Sequence, residues 1–112
     1  SGARISEFSV APQITPEGEQ LPYHEWFIEF EKEPENMEEF RKKLDEAMQQ
    51  QNSYYLDLIK GNILQRLKIS KVPAGGFQQY MKSIGKLGGQ NKLPRLANDR
   101  SIADELEKIR KQ

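Results

Sequence analysis

The sequence predicts an α+β fold: a small mixed β-sheet of about three strands with helices packed on it, in the order β-β-α-α-β-α-α. Residues 23–32 alternate apolar and acidic side chains as a strand does, and three later segments carry apolar residues at helical spacing. Stretches rich in glycine and proline separate these segments. The length of 112 residues suits one domain, so we assign residues 1–112 to a single unit.

Two N-terminal segments are predicted to pair as a β-hairpin. Residues 4–11 are extended, and Pro12 is expected to end that strand. In residues 23–32 one face is apolar and the other acidic, the first formed by Trp26, Ile28 and Phe30 and the second by Glu25, Glu29 and Glu31. Phe27 is the exception on the acidic face. The alternation predicts one packed and one solvated face, and it favours solvated glutamates over a general acid/base pair.

The first helix is predicted to begin after Asn36, which lies three residues before Glu39 in a capping-box-like arrangement. One apolar stripe follows at helical spacing: Met37, Phe40, Leu44, Ala47 and Met48. The opposite face is expected to be solvated: Glu38, Arg41, Lys42 and Asp45. A short second helix, capped by Ser53 and ended by Gly61, is predicted next.

The C-terminal half is predicted to contain one strand and two helices. Residues 63–72 form the strand, and Pro73 ends it. Residues 77–84 and 101–110 each carry an apolar stripe at helical spacing. Residues 85–99, rich in Gly, Asn and Lys, are predicted to be irregular.

Composition excludes several classes of chemistry. The chain has no Cys and one His, so it offers no disulfide, no thiolate nucleophile and no His cluster, and we assign no metal ligand. Phosphate-binding, zinc-protease and nucleophile-elbow motifs are absent from the sequence. His24, two residues from Trp26, is interpreted as a structural or surface residue rather than a general base. Because no apolar run approaches roughly 18 residues and no signal-peptide pattern is present, we expect a cytoplasmic protein without a membrane partner.

The formal net charge of zero hides an asymmetry between the two halves of the chain. Residues 1–57 carry 13 acidic and 5 basic residues, whereas residues 58–112 carry 4 acidic and 12 basic ones. Either the two halves attract each other within one fold, or the basic half faces an anion such as a phosphate, a nucleotide or a nucleic acid.

Residues 85–96 are the strongest candidate for contact with an anion. Their glycines allow backbone N–H groups to approach an anion closely, and Lys86, Lys92 and Arg95 supply positive charge. The alternative is a flexible surface loop whose cations are merely solvated. Composition alone favours this second interpretation.

Three stretches of the chain resemble a known family: GKLGGQNKLPRLANDR, NSYYLDLIKGNILQ and LPYHEWFIEFE. They are similar to the C-terminal part of the auxin-responsive Gretchen Hagen family of acyl-acid amido synthetases, with the bacterial branch as the closer match. The resemblance extends from about Ala3 to Ile109. Its most specific element is a short motif formed by Gln90, Lys92, Pro94 and Arg95.

The resemblance implies an enzyme of the firefly-luciferase-like adenylate-forming superfamily. Such an enzyme has a large N-terminal domain that binds ATP and an acyl acid, and a small C-terminal lid. It forms an acyl-adenylate from ATP in the presence of magnesium and then transfers the acyl group to an amine, usually an amino acid. On this interpretation the chain is the mobile lid, a fragment of a larger two-domain enzyme. Its partner is its own N-terminal adenylating domain, and the isolated chain is expected to be inactive.

The alternative function is a small nucleic-acid-binding or protein-interaction module that uses the basic C-terminal half. The sequence disfavours the nucleic-acid option, because no aromatic pair interleaves with the basic residues as an RNA-binding sheet requires.

By resemblance, Lys92 matches the catalytic lysine of the lid in related adenylate-forming enzymes. An ammonium group between a carboxylate and the α-phosphate would offset their repulsion and stabilise the transition state by roughly 3–4 kcal/mol. Gln90, Asn91 and Arg95 are further candidates for contact with substrate or nucleotide. For Arg95 the alternative is a pair with an acid of the domain itself, since such pairs commonly stabilise loops.

Overall fold

The described part of the protein contains three strands and four helices. A computed structural model describes residues 2–14, 18, 20–85 and 100–110. Along the chain the elements are β1 (Arg4–Gln13), β2 (Tyr23–Lys32), α1 (Met37–Gln51), α2 (Ser53–Lys60), β3 (Lys68–Val72), α3 (Gly76–Ser83) and α4 (Ser101–Arg110). Their order, and the mixed sheet that they form, confirm the predicted α+β fold.

The strand β2 is the centre of the sheet, whose order is β1-β2-β3. It pairs antiparallel with β1, as predicted, and Val10 lies opposite Trp26. It pairs parallel with β3, so that Trp26 also lies opposite Ile69. Parallel strands need a crossover connection, and α1 and α2 supply it between β2 and β3.

One face of the sheet packs against α1. Asn36 begins this helix as predicted, because its side-chain Oδ1 accepts the backbone N–H of Glu39 at 3.0 Å. The apolar stripe of the helix then meets apolar residues from all three strands. This first core cluster contains Phe8, Val10, Trp26, Ile28, Phe30, Phe40, Leu44, Met48, Leu67 and Ile69.

The other face of the sheet is also covered, which corrects the prediction of a solvated face. The helices α3 and α4 pack there, around Phe27 at 0% exposure. This second cluster contains Ala11, Phe27, Val72, Phe77, Tyr80, Ala103, Leu106 and Ile109. Glu25 and Glu29 share the face of Phe27 and therefore lie against the helices, whereas Glu31 is exposed as predicted. The sheet is thus the middle layer of three.

Three predicted boundaries are wrong, each for a local reason. The strand β1 continues through Pro12, because an edge strand tolerates a residue that has no N–H to donate. The strand β3 begins only at Lys68, since the N–H groups of residues 63–65 bond to carbonyls outside the sheet. Asn52, rather than Ser53, caps α2, because its side chain accepts the first N–H groups of that helix.

Candidate functional site

The residues predicted to contact substrate or nucleotide are Gln90, Asn91, Lys92 and Arg95, and all four lie outside the described residues. The same holds for the whole stretch 86–99. The structure does describe the chain on either side of this stretch, namely α3 with Gly85 before it and Arg100 with α4 after it. These two flanks and the sheet residues that bind them are the described residues associated with the candidate site.

Glu29 on β2 binds the beginning of α3. Its Oε1 accepts the N–H of Phe77 at 3.1 Å, and its Oε2 accepts the N–H of Gly75 at 3.3 Å and the hydroxyl of Ser6 at 3.1 Å. The N-cap residue of α3 is Gly75, which has no side chain to cap the helix. A carboxylate satisfies the unpaired N–H groups of a helix N-terminus and interacts favourably with its dipole. Glu29 therefore caps α3 from a neighbouring strand.

The two glycines at the start of α3 have different roles, one in the backbone conformation and one in packing. Gly75 has a φ of +79°, in the left-handed region that disfavours residues with a Cβ. A Cβ on Gly76 would lie 2.4 Å from Cγ1 of Val72 on β3. This contact is too short for any larger residue, so Gly76 allows α3 to pack directly on the sheet.

Glu25, also on β2, binds Arg100 at the start of α4. The guanidinium Nη1 donates to Oε1 of Glu25 at 2.6 Å, and the second carboxylate oxygen accepts the hydroxyl of Ser70 on β3 at 2.6 Å. The side chains of Arg100 and Glu25 are only 24% and 11% exposed. A charge-assisted hydrogen bond between partners so largely removed from water is strong and directional. The Glu25–Arg100 pair therefore connects the beginning of α4 to the central strand.

Further groups surround the Glu25–Arg100 pair. The Arg100 guanidinium lies 5.9 Å from the ring centroid of Phe27, and its Nε lies 3.7 Å from Oδ1 of Asp104. Burial, and after it the Glu25 carboxylate, raises the pKa of Tyr23. The Tyr23 hydroxyl is therefore protonated at neutral pH.

Two other ion pairs among the described residues also join the acidic and the basic half of the chain. Lys71 Nζ lies 3.1 Å from Oε1 of Glu33, and Arg66 Nε lies 3.9 Å from Oδ2 of Asp45. Within the described ranges, the charge asymmetry thus favours the interpretation in which the two halves attract each other.

Asp45 on α1 is fully buried, at 0% exposure, which corrects the prediction that it faces solvent. Its Oδ1 accepts the Tyr55 hydroxyl and, at 3.0 Å, the N–H of Leu67, while its Oδ2 accepts Nε2 of Gln49 at 2.5 Å. The Tyr55 hydroxyl also accepts the N–H of Leu67, at 3.0 Å. Because α2 brings Tyr55 against this flank of α1, the carboxylate has protein donors in place of water.

Tyr55 and His24 form a stacked pair beside this carboxylate, with ring centroids 5.5 Å apart and planes 19° apart. Burial, and next the hydrogen bond to Asp45, raises the pKa of Tyr55, so its phenol stays protonated and donates. Burial lowers the pKa of His24. A half-buried, neutral imidazole stacked on a tyrosine agrees with the prediction of a structural histidine.

The described ranges contain neither a metal-binding cluster nor a membrane-spanning helix. Within them, no group of three or more His, Cys, Asp or Glu side chains is arranged to hold a metal ion. None of the helices in these ranges has the length and apolarity needed to cross a bilayer.

The sequence pattern alone does not identify Glu25, Glu29 and Arg100 as residues that flank the candidate site. Acidic residues that alternate with apolar ones are typical of a solvated sheet face. Two signals nevertheless indicate a covered face. Phe27 places a large apolar side chain among the acids, and the Gly75–Gly76 pair leaves a helix start without a capping side chain.

Comparison with known families decides the affiliation of the chain. The family model for the GH3 family C-terminal domain matches residues 1–101, which include the stretch 86–99. The chain belongs to the GH3 family. This match confirms the resemblance that the sequence motifs indicated. No curated protein matches this GH3 domain.

Solved structures similar to the GH3 domain share its fold. GH3.15 acyl acid amido synthetase has a TM-score of 0.73 at 19% sequence identity, over 96% of this chain and 21% of that one. AtGH3.15 acyl acid amido synthetase in complex with 2,4-DB has a TM-score of 0.72 at 18% identity, over 96% of this chain and 20% of that one. The GH3 domain thus spans about a fifth of the length of these structures.

Proposed function

We propose that the GH3 domain, residues 1–112, is the mobile C-terminal lid of an ATP-dependent acyl acid amido synthetase. The observation that carries this proposal is the family match over residues 1–101, and the fold shared with GH3.15 acyl acid amido synthetase supports it. The partner of the lid is the N-terminal adenylating domain of the same enzyme, which binds ATP, magnesium and the acyl acid. We place the enzyme in the cytoplasm and expect the isolated lid to be inactive.

The proposed reaction has two steps, the first at the α-phosphorus of ATP and the second at the acyl carbon. In the first, a carboxylate oxygen of the acyl acid attacks the α-phosphorus of ATP, the bond to the β-phosphate breaks, and pyrophosphate leaves. In the second, an amine attacks the acyl carbon of the adenylate, AMP leaves, and the amine loses a proton as the amide forms. The two steps have different reacting atoms and therefore require different groups around the bound substrate. A lid that changes position between the two steps can bring the groups needed for each step to the substrate in turn.

Lys92 is the proposed catalytic residue of the first step. Two anions approach each other when the carboxylate attacks the α-phosphate, and an ammonium group between them offsets their repulsion. A preorganised charge of this kind contributes roughly 3–4 kcal/mol to the transition state, which corresponds to about 10²–10³ in rate. Gln90, Asn91 and Arg95 are proposed to contact nucleotide or substrate beside it.

The test is the Lys92→Ala substitution in the complete enzyme. We expect the rate of ATP–pyrophosphate exchange, which reports on adenylation, to fall about a hundredfold. Aminolysis of a preformed acyl-adenylate should continue, because that step does not use the ammonium group. Lys86→Ala provides the matched control, since it removes a cation from the same stretch of chain at a residue outside the short motif that is the most specific element of the resemblance.

An unchanged exchange rate in Lys92→Ala would exclude the catalytic assignment. An equal loss of exchange rate in Lys86→Ala would show that the effect depends on the positive charge of the stretch and not on Lys92 itself. The lid proposal itself fails if the complete gene product, purified with its N-terminal region, forms no acyl-adenylate from any carboxylic acid of a broad panel.

The alternative function, a nucleic-acid or protein-interaction module, has less support. Arg100, Lys71 and Arg66 of the basic half each lie within 4.0 Å of an acid from the acidic half. These cations are therefore already partly neutralised within the domain. Filter binding to DNA and RNA tests this alternative, which requires retention with a steep salt dependence.

A further inference from the structure

Both flanks of the stretch 86–99 bind the same face of one strand. Arg100 directly follows that stretch and binds Glu25, from which it is separated by 75 positions in sequence. The helix α3 ends at Ser83, two residues before the stretch, and Glu29 caps the beginning of this helix at Gly75 and Phe77. Glu25 and Glu29 lie four residues apart on β2, and a strand rises about 3.3 Å per residue. The two binding points are thus roughly 13 Å apart on the central strand.

The Glu25–Arg100 pair is built more firmly than a surface ion pair. Both carboxylate oxygens of Glu25 are bound, one by Arg100 and the other by Ser70 of the neighbouring strand. Exposed pairs in the same domain, such as Arg4 with Glu31, have side chains that are more than half exposed. Water screens exposed pairs and lets their side chains move, whereas a largely buried pair fixes a position.

We propose that Glu25 and Arg100 are positioning residues for the adenylation step. The inference rests on the proposed function, in which Lys92 carries the charge for that step. Lys92 lies eight residues before Arg100. By binding Arg100 to the central strand, Glu25 fixes the position of a residue that lies eight positions after Lys92 in sequence.

The physical reason for such a role is the steep dependence of catalysis on geometry. A displacement of about 1 Å at a reacting centre can cost about a hundredfold in rate. We expect the helix α4 to remain packed on the sheet when Arg100 is replaced, because Leu106 and Ile109 belong to the second core cluster. We therefore expect a partial effect, a decrease of about tenfold in the adenylation rate.

The experiment uses Arg100→Gln in the complete enzyme and measures both half-reactions. We expect the kcat of ATP–pyrophosphate exchange to fall about tenfold. The KM for ATP and the rate of aminolysis of preformed acyl-adenylate should stay unchanged, since neither uses the lysine. Arg100→Lys, which keeps the charge, should recover part of the exchange rate. Glu25→Asp shortens the carboxylate side of the pair and provides a second variant, with the same expected loss, if Arg100→Gln does not fold.

The matched control is Arg110→Gln at the far end of α4. Arg110 Nε donates to the carbonyl of Lys71 on β3 at 2.7 Å, so this substitution also weakens the contact between α4 and the sheet. It does so ten residues from Arg100, at the other end of the helix. A purely structural role of Arg100 predicts equal losses in Arg100→Gln and Arg110→Gln, and equal losses in both half-reactions; either result would overturn the inference.

The outcomes separate this inference from the proposed function. If Lys92→Ala abolishes exchange and Arg100→Gln leaves it unchanged, the lid function stands and the positioning role is refuted. If Lys92→Ala leaves exchange unchanged, the catalytic assignment fails and the positioning role fails with it. A selective loss of exchange in Arg100→Gln, with part of the rate recovered in Arg100→Lys, supports both.

Discussion

Each helical layer of the domain contains or covers a buried carboxylate. The two carboxylates differ in how far along the sequence their hydrogen-bond partners lie. Asp45, in the layer of α1 and α2, binds partners 4, 10 and 22 positions away. Glu25, facing the layer of α3 and α4, binds partners 45 and 75 positions away. The partners of Asp45 all lie in the crossover between β2 and β3, whereas Glu25 connects distant parts of the chain.

This difference indicates where the domain is most easily altered without loss of the fold. The layer of α1 and α2 belongs to one crossover between paired strands, so it should open only with the sheet. The layer of α3 and α4 contains two short helices, of 8 and 10 residues, that depend on carboxylates of β2 for their beginnings. Local opening is expected at elements of this kind. The candidate site lies between these two helices in sequence.

The largest expected effect follows from replacing Asp45 with Ala. The substitution removes the acceptor of the Tyr55 hydroxyl and of the Gln49 amide and leaves a buried phenol without its partner. Each unsatisfied buried donor costs about 1–3 kcal/mol, so we expect the free energy of unfolding to fall by about 3 kcal/mol. Urea unfolding measures this value. Asp45→Asn, which keeps one acceptor oxygen, should lose less.

Glu46→Ala provides the matched control for Asp45→Ala, since it removes an acid from the adjacent, exposed position of the same helix. We expect a change within about 0.5 kcal/mol. Equal stability of the two variants would show that the Asp45 network does not stabilise the α1–α2 layer.

A smaller and more local effect is expected from replacing Glu29 with Ala. The N–H groups of Gly75 and Phe77 lose their acceptor, and α3 has no other capping side chain. Removal of a helix cap costs about 1 kcal/mol. Amide hydrogen exchange should show faster exchange in α3 and unchanged exchange in α1. The exposed Glu31→Ala serves as the control, and loss of protection throughout the domain would contradict a local role.

The sequence predicts the elements of this domain better than it predicts which charges are buried. The strand 23–32 and the start of α1 follow from alternation and from the Asn36 cap, which are local signals. Asp45 lies on the polar flank of the helix, and only the turn at Asn52, which places Tyr55 beside it, removes it from water. Such burial depends on the packing of a second element, so no local pattern encodes it.

The candidate site is a second case in which local sequence signals are insufficient. Composition favours a solvated loop for the stretch that contains Lys92, and the resemblance to a family is what assigns a catalytic role to this residue. A lone lysine among glycines has no spacing that specifies a reaction. Arg100 follows this stretch in sequence, and its pairing with Glu25, 75 positions away, is evident only in the folded domain.

The smallest expected effect is on the pH dependence of the free energy of unfolding. It arises from His24, which stacks in the layer of α1 and α2. Burial against Tyr55 lowers the pKa of His24, so the folded domain resists protonation of this ring more than the unfolded chain does. The unfolded chain binds more protons as the pH falls through about 6.5, and the stability due to the neutral ring is then lost. Above that pH this stability is fully present. The contribution should be less than about 1 kcal/mol, because the ring is only half-buried and water screens its charge.

His24→Phe keeps an aromatic ring for the stack and removes the titration. The free energy of unfolding of the natural chain should therefore decrease more between about pH 7.5 and 5.5 than that of the variant. Identical slopes for the two proteins would show that His24 does not titrate differently in the folded state. Because His24 stacks in the layer of α1 and α2, the lost stability belongs to that layer, and the amide exchange of α3 and α4 should depend equally on pH in both proteins. A difference in pH dependence confined to α3 and α4 would instead indicate that the two layers are coupled through the sheet. It would contradict the expectation that the two layers open separately.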